Sequence, residues 1–533
     1  MSTVDARPIL LPLVLDRVPA GLRHALAQEG VPFVDRHAKG STGRFVLFDS
    51  RQGACRNLAA DQLAIDVDLL RRGEPSDPFE DLLDERSARL RWTIAGRDLA
   101  EDVSCVDKRE VRRRLMMRLR DQLESRGGIW FRVGAVPFPY RTAFNFRIDH
   151  HGYDASDFSA VLGALAGYEV ATSHFIGSVA LADQPDALAR LRGLDVGSSG
   201  YLPHLYKDPE ENLRNVRRGI EALRRAGIEP QGFAAAGGRT NRGLLTALET
   251  LDVSHVSGFG MAYDELPFWL DGSRVLYVPT HPLSLGSFLE AAVRHGADRD
   301  SGSDSWSGLV FDTLSRAAPS ESSLLRRERL ADRAWDRAEG RVAHLEQRVT
   351  DEIVARASDH FHAVVQAKYQ AGEPIFLAGQ VLGRLGRYPH FLRATLETCG
   401  DFGALWRVGL HDFNRWWRAR GAVKIRVVQA DERYEVHVEN RPVGYRLAGE
   451  YWRGEHVAQV PLDEPHVSLV VSALAFQGRR PRALPTALRV DRPQTLRSAR
   501  LPRTRAGQTA EGSSVRSWRN WMDRTWRRKK DQM

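Results

Sequence analysis

Cysteine is scarce: Cys55, Cys105 and Cys399 are the three in a chain of 533 residues, and they lie far apart. They cannot all pair, which excludes a disulfide framework and a Cys-rich zinc site, and it fits a reducing cytoplasm. Long apolar runs are missing too. The longest, Pro8 to Leu15 and Val467 to Phe476, fall well short of the ~18 to 20 residues that cross a bilayer, so no transmembrane helix is expected. The first residues, MSTVDARPILLPLVLDR, place charges where a secretory leader has its apolar core and small cleavage residues, and no signal peptide is read there. Lysine occurs seven times against seventy arginines. That skew looks like codon bias and carries little function.

What is present is ordinary for a globular protein. Hydrophobic residues make up 42% and charged residues 27%, which excludes collagen-like and wholly disordered chains. The length corresponds to three or four folding units of about 150 residues. The net charge of +9 could point to nucleic acid, but its distribution argues otherwise. From Arg497 to Met533 there are eleven basic and three acidic residues, a net of +8, so the body of the chain is nearly neutral and a nucleic-acid partner is not expected.

Five segments are expected. Residues 1–105 alternate strand-like runs (VPFVD, RFVLFDS) with a helical stretch and read as a small α/β domain. Residues 106–128 (DKREVRRRLMMRLRDQLES, then Gly127 and Gly128) read as a solvated amphipathic helical connector. From 129 to 420, short apolar strands alternate with helices, FNFRID, VATSHFIG, DVGSSG, QGFAAAGG, HVSGF and RVLYVPTH among the strands, which predicts a parallel sheet with helices outside in a barrel-like arrangement. A polar insertion falls near 296–325. Residues 421–490 (VKIRVV, YEVHVE, HVSLVV) predict an antiparallel β-sandwich, and 491–533 form a basic, Trp-bearing tail. The fold class is therefore α/β.

In barrels of parallel strands, chemistry sits at the carboxyl ends of the strands. The ionisable groups predicted there are Asp149, His150 and His151, His174, His204, Arg239 and His281. His and Asp converging from several strands could hold a divalent metal such as zinc, since neutral imidazole and carboxylate suit such ions. Each histidine can equally be a hydrogen-bonded structural residue.

The order of these segments resembles the polysaccharide deacetylase family, the NodB-homology domains of carbohydrate esterase family 4. FRIDHHGYD resembles its first motif, with Asp149 as the matching carboxylate. GSSGYLPHLY, with Tyr201, resembles the second, FAAAGGR, with Arg239, the third, MAYDELPFW, with Asp264 and Trp269, the fourth, and THPLS, with His281, the fifth. The resemblance implies a distorted (β/α) barrel that removes acetyl groups from glycans. A metal would be held by one Asp and two His, Asp149 and Arg239 would serve the base function, His281 would be the general acid, and Tyr201, Asp264 and Trp269 would line the sugar site.

The departures from the family pattern are as informative. Ser199 stands where the first metal His is expected, Pro203 where the second belongs, His204 is displaced by one, and His150 or His151 takes the place of the metal-binding Asp. Gln380 replaces a frequent His. Serine and proline cannot substitute for imidazole ligands. Two readings stay open. In one, Asp149, His151, His204 and His174 recapture a metal and the chain is a carbohydrate N-deacetylase. In the other, metal and catalysis are lost and the cleft is a glycan-binding or scaffold site.

In the tail, Val515, Trp518, Met522 and Trp526 fall on one helical face with arginines opposite. That composition suits an anionic membrane interface at the inner face of the membrane, or a solvated tail, and less readily a contact with protein or nucleic acid. Trp406, Trp416 and Trp417 recur at helical spacing and read as core packing.

Overall fold

Thr142–His150 is a strand of nine consecutive buried residues, the burial expected of a central strand covered on both faces. It pairs in parallel with Thr172–Ile176 on one side and Ile375–Gln380 on the other. Beyond Thr172–Ile176 the parallel order continues through Val196–Ser198, Phe233–Ala234, His255–Phe259 and Leu276–Thr280. The edge strand Phe268–Trp269 joins Leu276–Thr280 antiparallel, and Leu405–Arg407 extends the Thr142 end of the central strand. The two margins of this array meet where the His281 N–H donates to the Phe376 carbonyl at 2.8 Å. Helices including Ala155–Leu165, Pro209–Arg225, Arg242–Thr250, Gln347–Ala371 and Pro389–Gly400 alternate with the strands.

The computed structural model describes residues 8–38, 42–84, 87–94, 97–104, 106–235, 238, 240–259, 266–269, 272–281, 283–293 and 347–479. Arg239, Asp264, the 296–325 insertion and the 491–533 tail lie outside the described residues. Among those described, no helix is long and apolar enough to cross a membrane.

The helix Leu410–Ala422 closes the amino ends of the central strands. Its first N–H groups are received by Ser173 Oγ (2.9 Å) and Asp195 Oδ2 (3.3 Å), and Asn414 donates to Ser254 Oγ at 2.8 Å. Phe413, Trp416 and Trp417 share one buried cluster with Phe175, Leu276, Val278 and Phe376, so the tryptophans are core, as their spacing predicts. With one end filled, the carboxyl ends are left for chemistry.

The flanking segments interleave. Leu13–Asp16 lies in a parallel sheet with Phe33–Asp35, Phe45–Phe48 and Leu63–Asp66. Ile9–Leu11, immediately before it, pairs instead with Lys424–Ala430, in a sheet that continues through Arg433–Glu439 to His466–Val470. Trp130–Val133, placed by the sequence in the central region, pairs with Ala448–Arg453 in a second antiparallel sheet completed by His456–Pro461 and Gln477–Gly478. These pairings cross the segment boundaries drawn at 105, 129 and 421, and the described residues belong to one compact unit. Glu450 ties this second sheet together: its carboxylate takes Arg132 at 2.8 Å and Arg479 at 2.6 Å, and although burial works to raise its pKa, the two guanidiniums hold it down at about 2.

Candidate functional site

Alternation along Thr142–His150 sorts its side chains. Phe144, Phe146 and Ile148 pack with the helices in one buried cluster, so Asn145, Arg147 and Asp149 share the opposite, interior face. Arg147 bonds Asp149 Oδ2 at 2.9 Å and reaches across to Ser257 Oγ at 3.1 Å. Gln380 stands in register with Asp149. Its amide nitrogen is 3.3 Å from His151 Nδ1, an arrangement that leaves the ring proton on Nε2. Burial lowers the His151 pKa; the Asp149 carboxylate opposes this, while Arg147 and Arg384 reinforce it.

Among the described residues, the buried atoms at this end without a hydrogen-bond partner include Asp149 Oδ1, His151 Nε2 and Ser199 Oγ. These three are an acceptor, a donor and a hydroxyl, each of which costs free energy when left unmet and so favours a polar ligand.

The Ser199–His204 loop is pinned by two asparagines of the helix Pro209–Arg225. Asn215 accepts from Leu202 N at 2.8 Å and donates to Leu202 O at 2.9 Å, and Asn212 does the same for Tyr206 at 3.0 and 2.8 Å. Gly200 turns the chain at φ +88°, a conformation that glycine adopts without strain. Sequence reasoning passed over these asparagines, although two buried amides in a helix interior are a readable sign of side-chain-to-backbone anchoring.

Several expected site residues are placed elsewhere. His174 has the parity of Thr172 and Ile176 and faces the helix layer, where its Nδ1 lies 3.0 Å from His150 Nε2. His281, expected as general acid, turns into the same layer: its Nε2 is 3.0 Å from His360 Nε2, and its ring meets Phe361 edge-on. Burial holds both pairs neutral: His174 and His360 are pushed down to about 4, and burial, reinforced by the neighbouring ring, holds His150 and His281 well below the usual imidazole range. His204 packs edge-on to Tyr206 at 4.5 Å. Tyr201 carries the Arg218 guanidinium 3.6 Å over its ring, so that face is closed to a sugar. Trp269 pairs with Leu276, the first residue of its strand, which puts it at the amino end of the sheet, opposite Asp149.

The donor set therefore does not fit a divalent metal. Among the described residues no group of three or more His, Cys, Asp or Glu comes together, and the expected set of Asp149, His151, His204 and His174 is not assembled. Asp149 is already engaged by Arg147, and Arg147 and Arg384 add positive charge beside His151. Arg147 is the site residue that sequence reasoning missed; a lone arginine two positions before Asp149 inside an apolar strand was the available sign.

No family model and no curated protein matches the chain. Among solved structures it is similar to a protein described as a polysaccharide deacetylase from Mycobacterium smegmatis, at 17% identity over 54% of this chain and 95% of that one, with a TM-score of 0.38. A Pseudomonas aeruginosa PAO1 protein described in the same terms matches at 12% identity over 52% and 91%, with a TM-score of 0.35. A carbohydrate esterase family 4 pseudoenzyme from Bacillus anthracis matches at 11% identity over 22% and 42%, with a TM-score of 0.21. These structural neighbours thus include proteins described as deacetylases and one described as a pseudoenzyme.

Proposed function

We propose that the chain is a deacetylase-like protein whose cleft binds an acetylated amino sugar or related glycan without metal-dependent hydrolysis. In this reading the parallel strands are the distorted (β/α) barrel of the family that the motifs resemble. The paired antiparallel sheets form the accessory sandwich, and the Trp-bearing tail holds the protein at an anionic membrane surface.

The observation that carries the reading is the Arg147–Asp149 pair. A buried guanidinium on the carboxylate puts positive charge where a cation would have to sit, and Coulomb repulsion between them is large in a low-dielectric site. The unmet atoms of Asp149, His151 and Ser199 match the hydroxyl and amide groups of an N-acetylated sugar instead.

The test titrates the full-length protein with N-acetylglucosamine oligomers by calorimetry, with and without chelator, alongside elemental analysis and an acetate-release assay. Binding unchanged by chelator, weakened about tenfold by His151→Phe through loss of one buried hydrogen bond, supports the reading. Stoichiometric zinc together with chelator-sensitive acetate release would overturn it and favour the rearranged-ligand deacetylase.

A further inference from the structure

The helix Lys108–Glu124 is not the solvated connector that its charge leads one to expect. Arg109, Arg112, Arg113, Met116 and Arg120 fall on one helical face, and that face lines a cavity of about 140 Å³. This is roughly ten times the ~10–15 Å³ that one water needs. The facing walls come from distant parts of the chain: Arg132 and Trp130 from one strand, Trp452 from its neighbour, Arg420 from the helix across the amino ends, and Arg479.

Seven arginines line the cavity. Five carboxylates answer them. Glu29 takes Arg112 at 3.0 Å and also Arg132, Glu450 takes Arg132 and Arg479, Glu373 takes Arg109 at 2.7 Å, Glu110 takes Arg113 at 2.6 Å, and Glu455 is in the wall. Among the described residues the arginines of the wall outnumber the carboxylates paired with them or lying beside them.

Two arginines of this wall lack a direct ion pair among the described residues. Arg420 is 4% exposed and bonds the backbone carbonyls of Gly134 (2.9 Å), Gln28 (3.0 Å) and Val133 (3.3 Å); burial lowers its pKa to about 9, with Arg132 adding to the effect and Glu450 opposing it. Arg120 bonds the Gly454 carbonyl at 2.5 Å, and its buried Nε has no partner. Glu124, one turn further on, is exposed, and its carboxylate acts on Arg120 from the solvent side. Arg420, a buried charge held by backbone carbonyls, is costly to keep there, and its guanidinium fork and that of the part-buried Arg120 match the oxygens of a phosphoryl group. Arg132 is stacked 4.7 Å over the Trp452 ring, which fixes its orientation before any ligand arrives.

We propose that this junction cavity is a binding site for a phosphoryl group, either as free phosphate or carried on a small molecule. A phosphate dianion would be met there by Arg420 and Arg120, the two arginines without a direct ion pair.

The test uses the full-length protein at constant ionic strength, titrated by calorimetry and followed by thermal melting with inorganic phosphate, glucose 6-phosphate and chloride. The expected result is saturable phosphate binding that raises the melting temperature, weakens about tenfold in Arg120→Gln, and is unchanged in the cleft variant His151→Phe. Equal affinity for the two phosphates identifies free phosphate as the ligand; tighter binding of the sugar phosphate identifies a carried group read by Trp130 and Trp452. Arg113→Gln, on the more open part of the same face, provides a second variant should Arg120→Gln fail to fold. A phosphate effect no larger than that of chloride at about 1 mM, or binding unaltered in both arginine variants, overturns the proposal.

Discussion

Lowering the pH should unload the two buried histidine pairs, and the size of the effect follows from their placement. His150–His174 and His281–His360 each lie 3.0 Å apart under the helix layer. His174 and His360 are pushed down to about 4 by burial, against about 6.5 in an unfolded chain. The native state keeps them neutral while the unfolded chain takes up protons, so their contribution is complete above about pH 6.5 and is lost as pH falls towards 4. Between about pH 7.5 and pH 5, each of the two costs about 2 kcal/mol, together about 4, with their partners adding in the same direction. Asp195, whose carboxyl burial pushes up, works in the opposite sense, so the informative comparison is between variants. Urea unfolding at the two pH values should show a large loss in the unaltered protein and a loss smaller by at least about 2 kcal/mol in His281→Asn/His360→Gln, which keeps polar side chains at both positions. Equal pH dependence in the two proteins would refute the assignment of these rings as buried and neutral.

Three other outcomes are expected. Trp416→Ala, which removes a fully buried ring whose Nε1 donates to Ala135 O at 2.9 Å, should cost about 3–5 kcal/mol in denaturant unfolding. Gly219→Ala should disturb the Ser199–His204 loop, because its Cβ would sit 2.6 Å from Tyr201 N and closer still to the Gly200 carbonyl carbon. Its stability loss should be about 1–3 kcal/mol, accompanied by weaker glycan binding in the same calorimetric titration. Deletion of the residues after Arg505 should abolish salt-sensitive co-sedimentation with anionic liposomes, and sedimentation of the shortened protein at the original level would dismiss the tail as a membrane contact.

The alternation of strand and helix was legible because glycine and polar breaks bound each apolar run, and His255–Phe259 coincides with the predicted HVSGF. The parity of the histidines was not. A parallel strand covered on both faces is apolar at odd and even positions alike, so nothing in VATSHF says whether His174 faces the cleft or the helices. Asp149 was found through the motif it resembles, whereas Arg147, which decides the electrostatics of that carboxylate, belongs to no part of the motif. Within the apolar run Pro8 to Leu15, nothing in the hydropathy separates Ile9–Leu11 from Leu13–Asp16. They serve two sheets, and partner choice depends on residues more than four hundred positions away.

That partnership bears on how the chain is made. Ile9 lies opposite Val428, a separation of 419 residues. At roughly 5 to 20 residues per second of synthesis, the first strand emerges about 20 to 80 s before its mate exists. Its apolar edge must wait unpaired or be shielded during that interval, and the antiparallel sheet it belongs to can be completed only after the central strands have been made.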